Sequence, residues 1–343
     1  MNQPRPRITT EFLDHIFATK VRRQVFEDAV RPETNRPVMI FVGAQPGAGK
    51  TRAMEMAVRD AARAHPVVIS GDDFRQYHPD YRRLIAEDPT RMPAVTAELS
   101  GPMVRRSLDH AKQQRYSVAL EGTFRDEAMV LATAHEFAQE GYEIHVVAVA
   151  TQPEVSRLSI EDRYLSAPRV RARWTPPTAH DLTIATSGHV LETLEASDVV
   201  DRISVYTRAE RVYRNERDRD GDWAERPRAR EVLEAERARP LSPLAATEWL
   251  RDYARVVEEV RQRPDYLAGA GAHTHQQLDR DAEQVRAWAR VVEQPAERHL
   301  TARRTEAIER HHAAPNPLEH NHHQPPAIHD PHHGIGPGRS LNL

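Results

Sequence analysis

A glycine-rich turn that ends in a lysine and a threonine lies near the start of the chain, directly after the apolar run at positions 38–42. The residues that follow have helical spacing. Backbone N–H groups freed by such a turn, together with a helix N-terminus, bind phosphate, while the lysine reaches the β- and γ-phosphates and the threonine hydroxyl can hold Mg²⁺. The sequence therefore predicts an ATP site with Thr51 as metal ligand, formed by Gly43, Ala44, Gln45, Pro46, Gly47, Ala48, Gly49, Lys50 and Thr51. An ordinary strand-to-helix turn is the alternative.

Carboxylates follow the next two β-rich runs. Asp72 and Asp73 come just after residues 67–70, and Glu121 follows residues 117–120. A carboxylate beyond the end of a strand, beside a phosphate site, can accept a proton from a hydroxyl or organise Mg²⁺. We interpret Asp72 as a general base. Helix capping is the alternative role for the two aspartates, and a buried, paired carboxylate is the alternative for Glu121.

Arginines cluster after the fourth β-rich run, around Pro168 and the Trp-Thr-Pro-Pro segment at 174–177. Transfer of a phosphoryl group requires cations over its oxygens, and a mobile arginine lid would supply them while excluding water. A solvated basic face is the alternative in a chain so rich in arginine. The cluster comprises Arg157, Arg163, Arg169, Arg171 and Arg173.

Strand and helix patterns alternate through the first two-thirds of the chain. Five β-rich runs separated by helices predict a parallel sheet with helices on both faces, which binds ligands beyond the carboxyl ends of its strands. The runs are 38–42, 67–70, 118–121, 144–150 and 202–206. A packing helix at 12–30 precedes them. Exposed or loosely packed helices are predicted after about residue 208, at 228–239, 245–262 and 276–292.

Bulk composition excludes several classes of protein. The formal net charge of −3 gives no reason to expect nucleic acid as a partner, and no stretch approaches the 18 apolar residues of a membrane span. The absence of cysteine excludes disulfides and fits a reducing compartment. The first seven residues lack the apolar core of a signal peptide. We therefore expect a cytoplasmic protein without a membrane partner.

The quoted residues resemble the zeta-toxin kinases of bacterial toxin–antitoxin systems, P-loop enzymes related in fold to adenylate and shikimate kinases. The resemblance covers about residues 36–206. It rests on the segments 43–51, 72–79 and 121–125, and it continues through Thr133, Gly141-Tyr142, Arg163-Tyr164, 173–176 and His180-Asp181.

The resemblance implies a P-loop NTPase fold, a five-stranded parallel sheet flanked by helices with a helical C-terminal extension. We expect four segments: an N-terminal helical segment (1–35), a zeta-toxin-like kinase domain (36–208), a helical C-terminal region (209–305) and a disordered Pro- and His-rich tail (306–343). The tail histidines could bind metal weakly, but a solvated tail is the favoured interpretation.

Zeta-toxin kinases phosphorylate the 3′-hydroxyl of the amino sugar of UDP-N-acetylglucosamine, which blocks synthesis of cell-wall precursors. For this chain the resemblance implies that nucleotide sugar as substrate and a separate antitoxin protein as partner. It assigns Lys50 to the ATP phosphates, Asp72 to the base, and Arg163 and Arg173 to the moving phosphoryl group. The implied substrate-binding residues are Asp72, Phe74, Arg75, Glu121, Thr123, Arg125 and Thr133.

One position departs from the family pattern. Relatives carry an acid facing the sugar on the helix before the third strand, and here that position is Arg105. An arginine there could favour an acceptor with an additional phosphate, such as NAD, or could face solvent. A kinase of another nucleotide, or an ATP-binding regulatory module without transfer activity, therefore stays open. Inhibition in cis by residues 12–30 is a further alternative, with a supporting helix favoured.

Overall fold

The computed structural model describes residues 7–167 and 173–290. Within them, one six-stranded sheet has the order β2-β3-β1-β4-β5-β6. The first five strands are parallel, as predicted, and β6 runs antiparallel to β5. The strands are β1 (Val38–Gly43), β2 (Val67–Ser70), β3 (Val118–Gly122), β4 (Glu143–Val149), β5 (Arg202–Tyr206) and β6 (Arg211–Glu216).

Helices connect the strands and continue beyond the sheet. The predicted helix at 12–30 is two short helices joined by a π-helical turn, Phe17–Val21. The α-helices are α1 (Thr10–Ile16), α2 (Arg22–Phe26), α3 (Lys50–Asp60), α4 (Gly71–Phe74), α5 (Tyr81–Glu87), α6 (Met92–Gln114), α7 (Glu127–Gln139), α8 (Pro153–Ser166), α9 (Pro177–Ala196), α10 (Ala229–Ala238), α11 (Pro243–Arg261), α12 (Pro264–Ala268) and α13 (Ala272–Arg290).

The central strand β1 explains the layered architecture. All six of its residues are buried, as expected for a parallel strand covered by helices on both faces. Its side chains alternate between two hydrophobic cores, because successive residues of a strand point to opposite faces. Met39 and Phe41 join the larger core with α6 and α7, whereas Ile40 and Val42 pack with α3. The phosphate-binding turn therefore starts from a strand anchored on both faces.

The strand β6 lies at the sheet edge and was not predicted. Buried Tyr213 and Asn215 alternate with exposed Arg214, which is the two-residue period of a strand. Because most residues of β6 are polar, this alternation did not stand out as a hydrophobic pattern. Because β6 follows residue 208, the segment expected to be wholly helical contributes a strand to the sheet. The domain boundaries themselves stay predictions.

The predicted C-terminal helices exist, but the expectation that they are exposed or loosely packed is wrong. Trp249 and Val256 of α11 and Leu278 of α13 form a buried core with Leu158 and Tyr164 of α8. This core fixes α8, the helix that carries Arg163. The described residues all fall in one compact unit, Met1–Val291; the predicted tail at 306–343 lies outside them.

The N-terminal helices pack against α6 and β2. Phe26 stacks with Tyr116 at a ring distance of 5.9 Å and meets the edge of His110 at 4.7 Å. Arg106 of α6 bonds to Asp14 of α1. Among the residues described, no helix is long and apolar enough to cross a membrane.

Candidate active site

Two glycines allow the phosphate-binding turn to form. Gly47 and Gly49 have φ angles of +76° and +89°, in the left-handed region that side chains disfavour. A Cβ atom on Gly47 would lie 2.3 Å from the carbonyl oxygen of Ser156 on α8. The helix α3 begins at Lys50, so the turn leads directly into a helix N-terminus, which attracts anions. The backbone thus has the form required to bind phosphates.

Buried side chains brace this turn from behind. The Gln45 side chain is fully buried; its Nε2 donates to the Thr151 carbonyl oxygen at 2.7 Å, and the Thr151 hydroxyl donates to the Ala48 carbonyl oxygen at 2.7 Å. The Phe124 ring occupies the space that a side chain at Gly43 would fill. Gln45 and Gly43 therefore shape the turn, and Gln45 is buried and does not line the cavity in front of it.

A cavity of about 430 Å³ opens in front of the turn. It brings six predicted site residues to one place, although they come from the turn, α3, β3 and α8: Gly47, Gly49, Lys50, Thr51, Glu121 and Arg163. The lining residues are Gly47, Gly49, Lys50, Thr51, Arg52, Glu121, Ser159, Arg163 and Arg208.

Lys50 rests on the turn beside a carboxylate. Its Nζ donates to the carbonyl oxygens of Ala44 at 3.2 Å and Gln45 at 3.3 Å, and it lies 3.8 Å from Oε1 of Glu121. The Ser70 hydroxyl donates to Oε2 of Glu121 at 2.9 Å. Burial lowers the pKa of Lys50, against the opposing charges of Glu121 and Asp72. A desolvated ammonium gains more from a phosphate than a hydrated one.

Asp72 lies in the first turn of α4 and is held by arginines. Arg75 Nε donates to Oδ1 of Asp72 at 2.7 Å, while Arg75 Nη1 donates to the Pro93 carbonyl oxygen at 2.7 Å and the Thr96 hydroxyl at 2.8 Å. Burial raises the pKa of Asp72, but the hydrogen bond and charge of Arg75 and the charges of Arg173 and Arg163 outweigh it, so the net pKa is lowered. Asp72 is therefore an ionised, oriented acceptor.

One of the predicted lid arginines, Arg173, contacts this carboxylate, whereas Arg163 bonds to Thr175. Arg173 Nη1 lies 3.8 Å from Oδ2 of Asp72, and Arg163 Nη2 donates to the Thr175 hydroxyl at 3.3 Å. Burial lowers the pKa of Arg163, opposed by the charge of Asp72. Arg157 instead pairs with Asp281 of α13, away from the cavity. Arg169 and Arg171 lie outside the described residues.

Other predicted substrate residues are placed less directly. Phe74 has no exposed surface and packs in the larger core, so its expected contact with the acceptor is corrected to an anchoring role for α4. Thr123 is half-buried and Arg125 is exposed between β3 and α7. The Thr133 hydroxyl donates to the Met129 carbonyl oxygen within α7 at 2.8 Å. Their roles toward an acceptor stay predictions.

Arg105 is exposed to solvent, and its charge is paired. Its Nη1 and Nη2 donate to the two carboxylate oxygens of Glu136 on α7 at 2.7 and 2.6 Å, and Nη2 lies 3.0 Å from Asp109. A guanidinium paired with a carboxylate at both ends is poorly suited to bind an additional phosphate. The unusual residue thus acts in an ion pair between α6 and α7.

Sequence reasoning missed Arg208. Its Nη2 donates to the Ser159 hydroxyl at 2.8 Å and to the Gly47 carbonyl oxygen, and its Nε lies 3.4 Å from the Ala48 carbonyl oxygen. The guanidinium therefore forms part of the cavity wall above the phosphate-binding turn. One signal was present: Arg208 comes two residues after β5, and ligands bind beyond the carboxyl ends of parallel strands.

Comparison with known proteins agrees with this geometry. The chain is 31% identical over 185 residues to Toxin PezT of Streptococcus pneumoniae, covering 52% of this chain and 71% of that protein. It is 28% identical over 175 residues to Toxin zeta of Streptococcus pyogenes, covering 50% of this chain and 61% of that one. A structure from the PezAT chromosomal toxin–antitoxin system of S. pneumoniae superposes with a TM-score of 0.62 and 25% identity, over 74% of this chain and 98% of that one.

The family model described as Zeta toxin matches residues 23–218, which is more than half of the chain. The match extends from α2 to the end of the observed sheet and includes every element that lines the cavity. This chain therefore belongs to the zeta toxin family, whose members are nucleotide-binding kinases of toxin–antitoxin systems.

Proposed function

We propose that this kinase transfers the γ-phosphoryl group of ATP to the 3′-hydroxyl of the amino sugar of UDP-N-acetylglucosamine and so inhibits cell-wall synthesis. One observation carries the proposal. The Asp72 carboxylate is fixed by Arg75 just beyond β2, and on the paired strand β3 Glu121 accepts from Ser70 and lies 3.8 Å from Lys50 in the phosphate cavity. A base and a phosphate site are thus adjacent.

The turn and cavity fit a triphosphate. Lys50 would leave the loop carbonyls for the β- and γ-phosphates, and the backbone around Gly47 and Gly49 would bind the phosphate chain. Arg208, at the cavity wall, would bind the same phosphate chain.

The donor set for Mg²⁺ is sparse on the protein side. Within residues 7–167 and 173–290, no three acidic or histidine side chains converge to hold a metal. The Thr51 hydroxyl lines the cavity and is the expected protein ligand, with the nucleotide phosphates supplying further oxygens. When bound, Mg²⁺ would neutralise charge on the β- and γ-phosphates.

The chemical step then requires one proton acceptor and two cations. The acceptor oxygen forms a bond to the γ-phosphorus, the bond from that phosphorus to the β,γ-bridging oxygen breaks, ADP leaves, and the hydroxyl proton passes to Asp72. Arg163 and Arg173 would stabilise the charge on the moving phosphoryl group. Because the transition state is loose, orientation of Asp72 by Arg75 matters more than high basicity.

The acceptor site is proposed around Glu121, Thr123, Arg125 and Thr133. Glu121 lies at the end of β3, next to Lys50, and the other residues follow in the loop and helix after that strand. Since Arg105 is engaged by Glu136, its presence gives little reason to prefer NAD. UDP-N-acetylglucosamine is therefore kept as the acceptor.

We further propose a separate antitoxin as partner and the cytoplasm, where ATP is available, as location. The similar structure comes from a toxin–antitoxin system. The residues of α1 and α2 pack on α6 and do not line the ATP cavity, which favours a supporting role over inhibition in cis. Equal toxicity of the full chain and residues 36–343 would agree; greater toxicity of the shorter chain would reveal inhibition in cis.

An acceptor screen tests the proposal. The purified chain is incubated with Mg²⁺, ATP and either UDP-N-acetylglucosamine or NAD, and products are separated by mass. We expect a phosphorylated sugar nucleotide and unmodified NAD, also with Arg105→Gln, whose effect should stay within about fivefold because exposed ion pairs contribute little. If only NAD is phosphorylated, NAD replaces the sugar nucleotide as the proposed acceptor. ATP binding without any phosphoryl transfer would indicate a regulatory module.

A further inference from the structure

The helix α10 places a guanidinium directly behind the phosphate-binding turn. Arg237 Nη2 donates to Oε1 of Gln45 at 2.9 Å, and Nη1 donates to the Ser187 hydroxyl of α9 at 2.9 Å. Its Nε is shielded from solvent and has no hydrogen-bond partner in the described part of the chain. Arg237 lies beyond residue 218, where the family match ends, so this contact comes from the C-terminal extension.

The charge of Arg237 is not neutralised by an adjacent acid. Its neighbours on α10 are occupied, since Glu234 pairs with Arg230 and Glu236 pairs with Arg239. Across residues 7–167 and 173–290 no carboxylate forms an ion pair with Arg237. Burial lowers its pKa to about 10, with the charge of Glu234 opposing, so it stays protonated at neutral pH.

The bonds that start at Arg237 lead to the phosphate-binding backbone. Gln45 accepts from Arg237 through Oε1 and donates through Nε2 to the Thr151 carbonyl oxygen. The Thr151 hydroxyl then donates to the Ala48 carbonyl oxygen. A cation behind a partly buried turn stabilises an anion in front of it, because charges interact more strongly away from bulk water. Each additional phosphate of a bound nucleotide should therefore be stabilised by the charge of Arg237.

We propose that Arg237 is a positioning residue of the nucleotide site: it fixes the phosphate-binding turn through Gln45, and its charge favours nucleotides with more phosphates. This inference rests on the nucleotide site of the proposed function and does not depend on the acceptor. It assigns α10, which the sequence placed in a separate C-terminal region, to the ATP site. A kinase core that ended at residue 218 would lack this cation.

Calorimetric titration of the full chain with Mg²⁺ and ATP, ADP or AMP tests the charge. Arg237→Met keeps the side-chain length and removes the charge and both hydrogen bonds. We expect it to weaken ATP binding by about tenfold, with a smaller loss for ADP and the smallest for AMP. Arg251→Met, at an exposed position of α11, is the control and should bind all three nucleotides like the wild type.

Two further variants keep the test decisive if Arg237→Met unfolds, which thermal melting would reveal. Arg237→Lys keeps the charge and should recover most of the preference for ATP over AMP. Gln45→Leu removes the link, and in the double variant with Arg237→Met its effect should be less than additive. Equal losses for ATP and AMP in Arg237→Met, or ATP binding by Arg237→Met equal to that of Arg251→Met, would overturn the inference. If the wild type does not phosphorylate the sugar nucleotide, that result contradicts only the proposed function and leaves the role of Arg237 in nucleotide binding in place.

Discussion

Arg75 and Asp72 form one rigid unit: Arg75 Nε donates to Oδ1 of Asp72 at 2.7 Å, while the same guanidinium is anchored on the Pro93 carbonyl oxygen of α6. The carboxylate is therefore positioned by a neighbour three residues later and, through it, by the longest helix of the sheet domain. Resemblance assigned Arg75 to the substrate. That assignment stays a prediction, and the three hydrogen bonds of Arg75 orient the Asp72 carboxylate.

Arg75→Met should lower kcat by up to about 100-fold, because a misplaced base is nearly as costly as a missing one. It should also change the pH profile. The pKa of Asp72 lies below the ordinary 3.8, so ionised Asp72 adds stability above pH 3.8 that is lost as the pH falls through the lowered pKa. Without Arg75 that pKa rises, and the acid limb of activity should move to higher pH.

The exposed pair of Arg83 and Asp80 provides the control for this variant. It has the same three-residue spacing and lies in another helix. Arg83→Met should leave both kcat and the acid limb unchanged. An acid limb that is identical in Arg75→Met and wild type would contradict the assigned role of Arg75.

Gly47→Ala should destabilise the fold by more than about 1 kcal/mol and abolish ATP binding, because the new Cβ demands a left-handed φ of +76° and meets the Ser156 carbonyl oxygen. Thermal unfolding and ATP titration measure the two effects. Gly101→Ala is the matched control: this glycine lies inside α6 with nothing near its missing Cβ, and the change should stabilise by about 0.5–1 kcal/mol. Equal melting temperatures for Gly47→Ala and Gly101→Ala would contradict the account.

The contrast between these positions shows what sequence can predict. The turn at 43–51 and the carboxylates at 72 and 121 were found because local motifs and strand ends determine where they lie. Arg208 and Arg237 were missed because they reach the turn from 161 and 192 residues away, and no local pattern encodes such contacts. Phe74 was misassigned because motif order does not reveal which side of a short helix faces the core.

Arg208→Met should weaken ATP binding by about tenfold, since a charge-assisted contact to phosphate is lost. Titration with Mg²⁺ and ATP measures the change. Arg211, in the same hairpin, is paired with Asp60 instead, so Arg211→Met should bind ATP like the wild type. If both variants bind ATP equally well, Arg208 has no role in the nucleotide site.

Leu278→Ala should lower the free energy of unfolding by about 2–5 kcal/mol, because Leu278 is completely buried between α11, α13 and α8. Urea unfolding followed by fluorescence measures it. Leu244, which is 72% exposed at the start of α11, is the control, and Leu244→Ala should change stability by less than about 0.5 kcal/mol. Equal stability of the two variants would mean that the C-terminal helices do not pack as described.

That packing also limits what composition can predict. Arginine and glutamate dominate the outer faces of α11 and α13, so the segment looked solvated as a whole. Trp249 and Val256 on α11, and Leu278 and Val285 on α13, have helical spacing and bury one narrow stripe of each helix in the core with α8. The helices were therefore predicted correctly, but their packing against α8 was not. A stripe of apolar residues indicates that one face of a helix is buried, and it does not indicate which element packs on that face.

The most direct test of the central claim compares Asp72→Asn with wild type in the presence of Mg²⁺, ATP and UDP-N-acetylglucosamine. Loss of the proton acceptor should reduce phosphoryl transfer by about two to four orders of magnitude while ATP still binds. Lys50→Ala, the companion variant, should lose ATP binding itself. Undiminished transfer by Asp72→Asn would contradict the account.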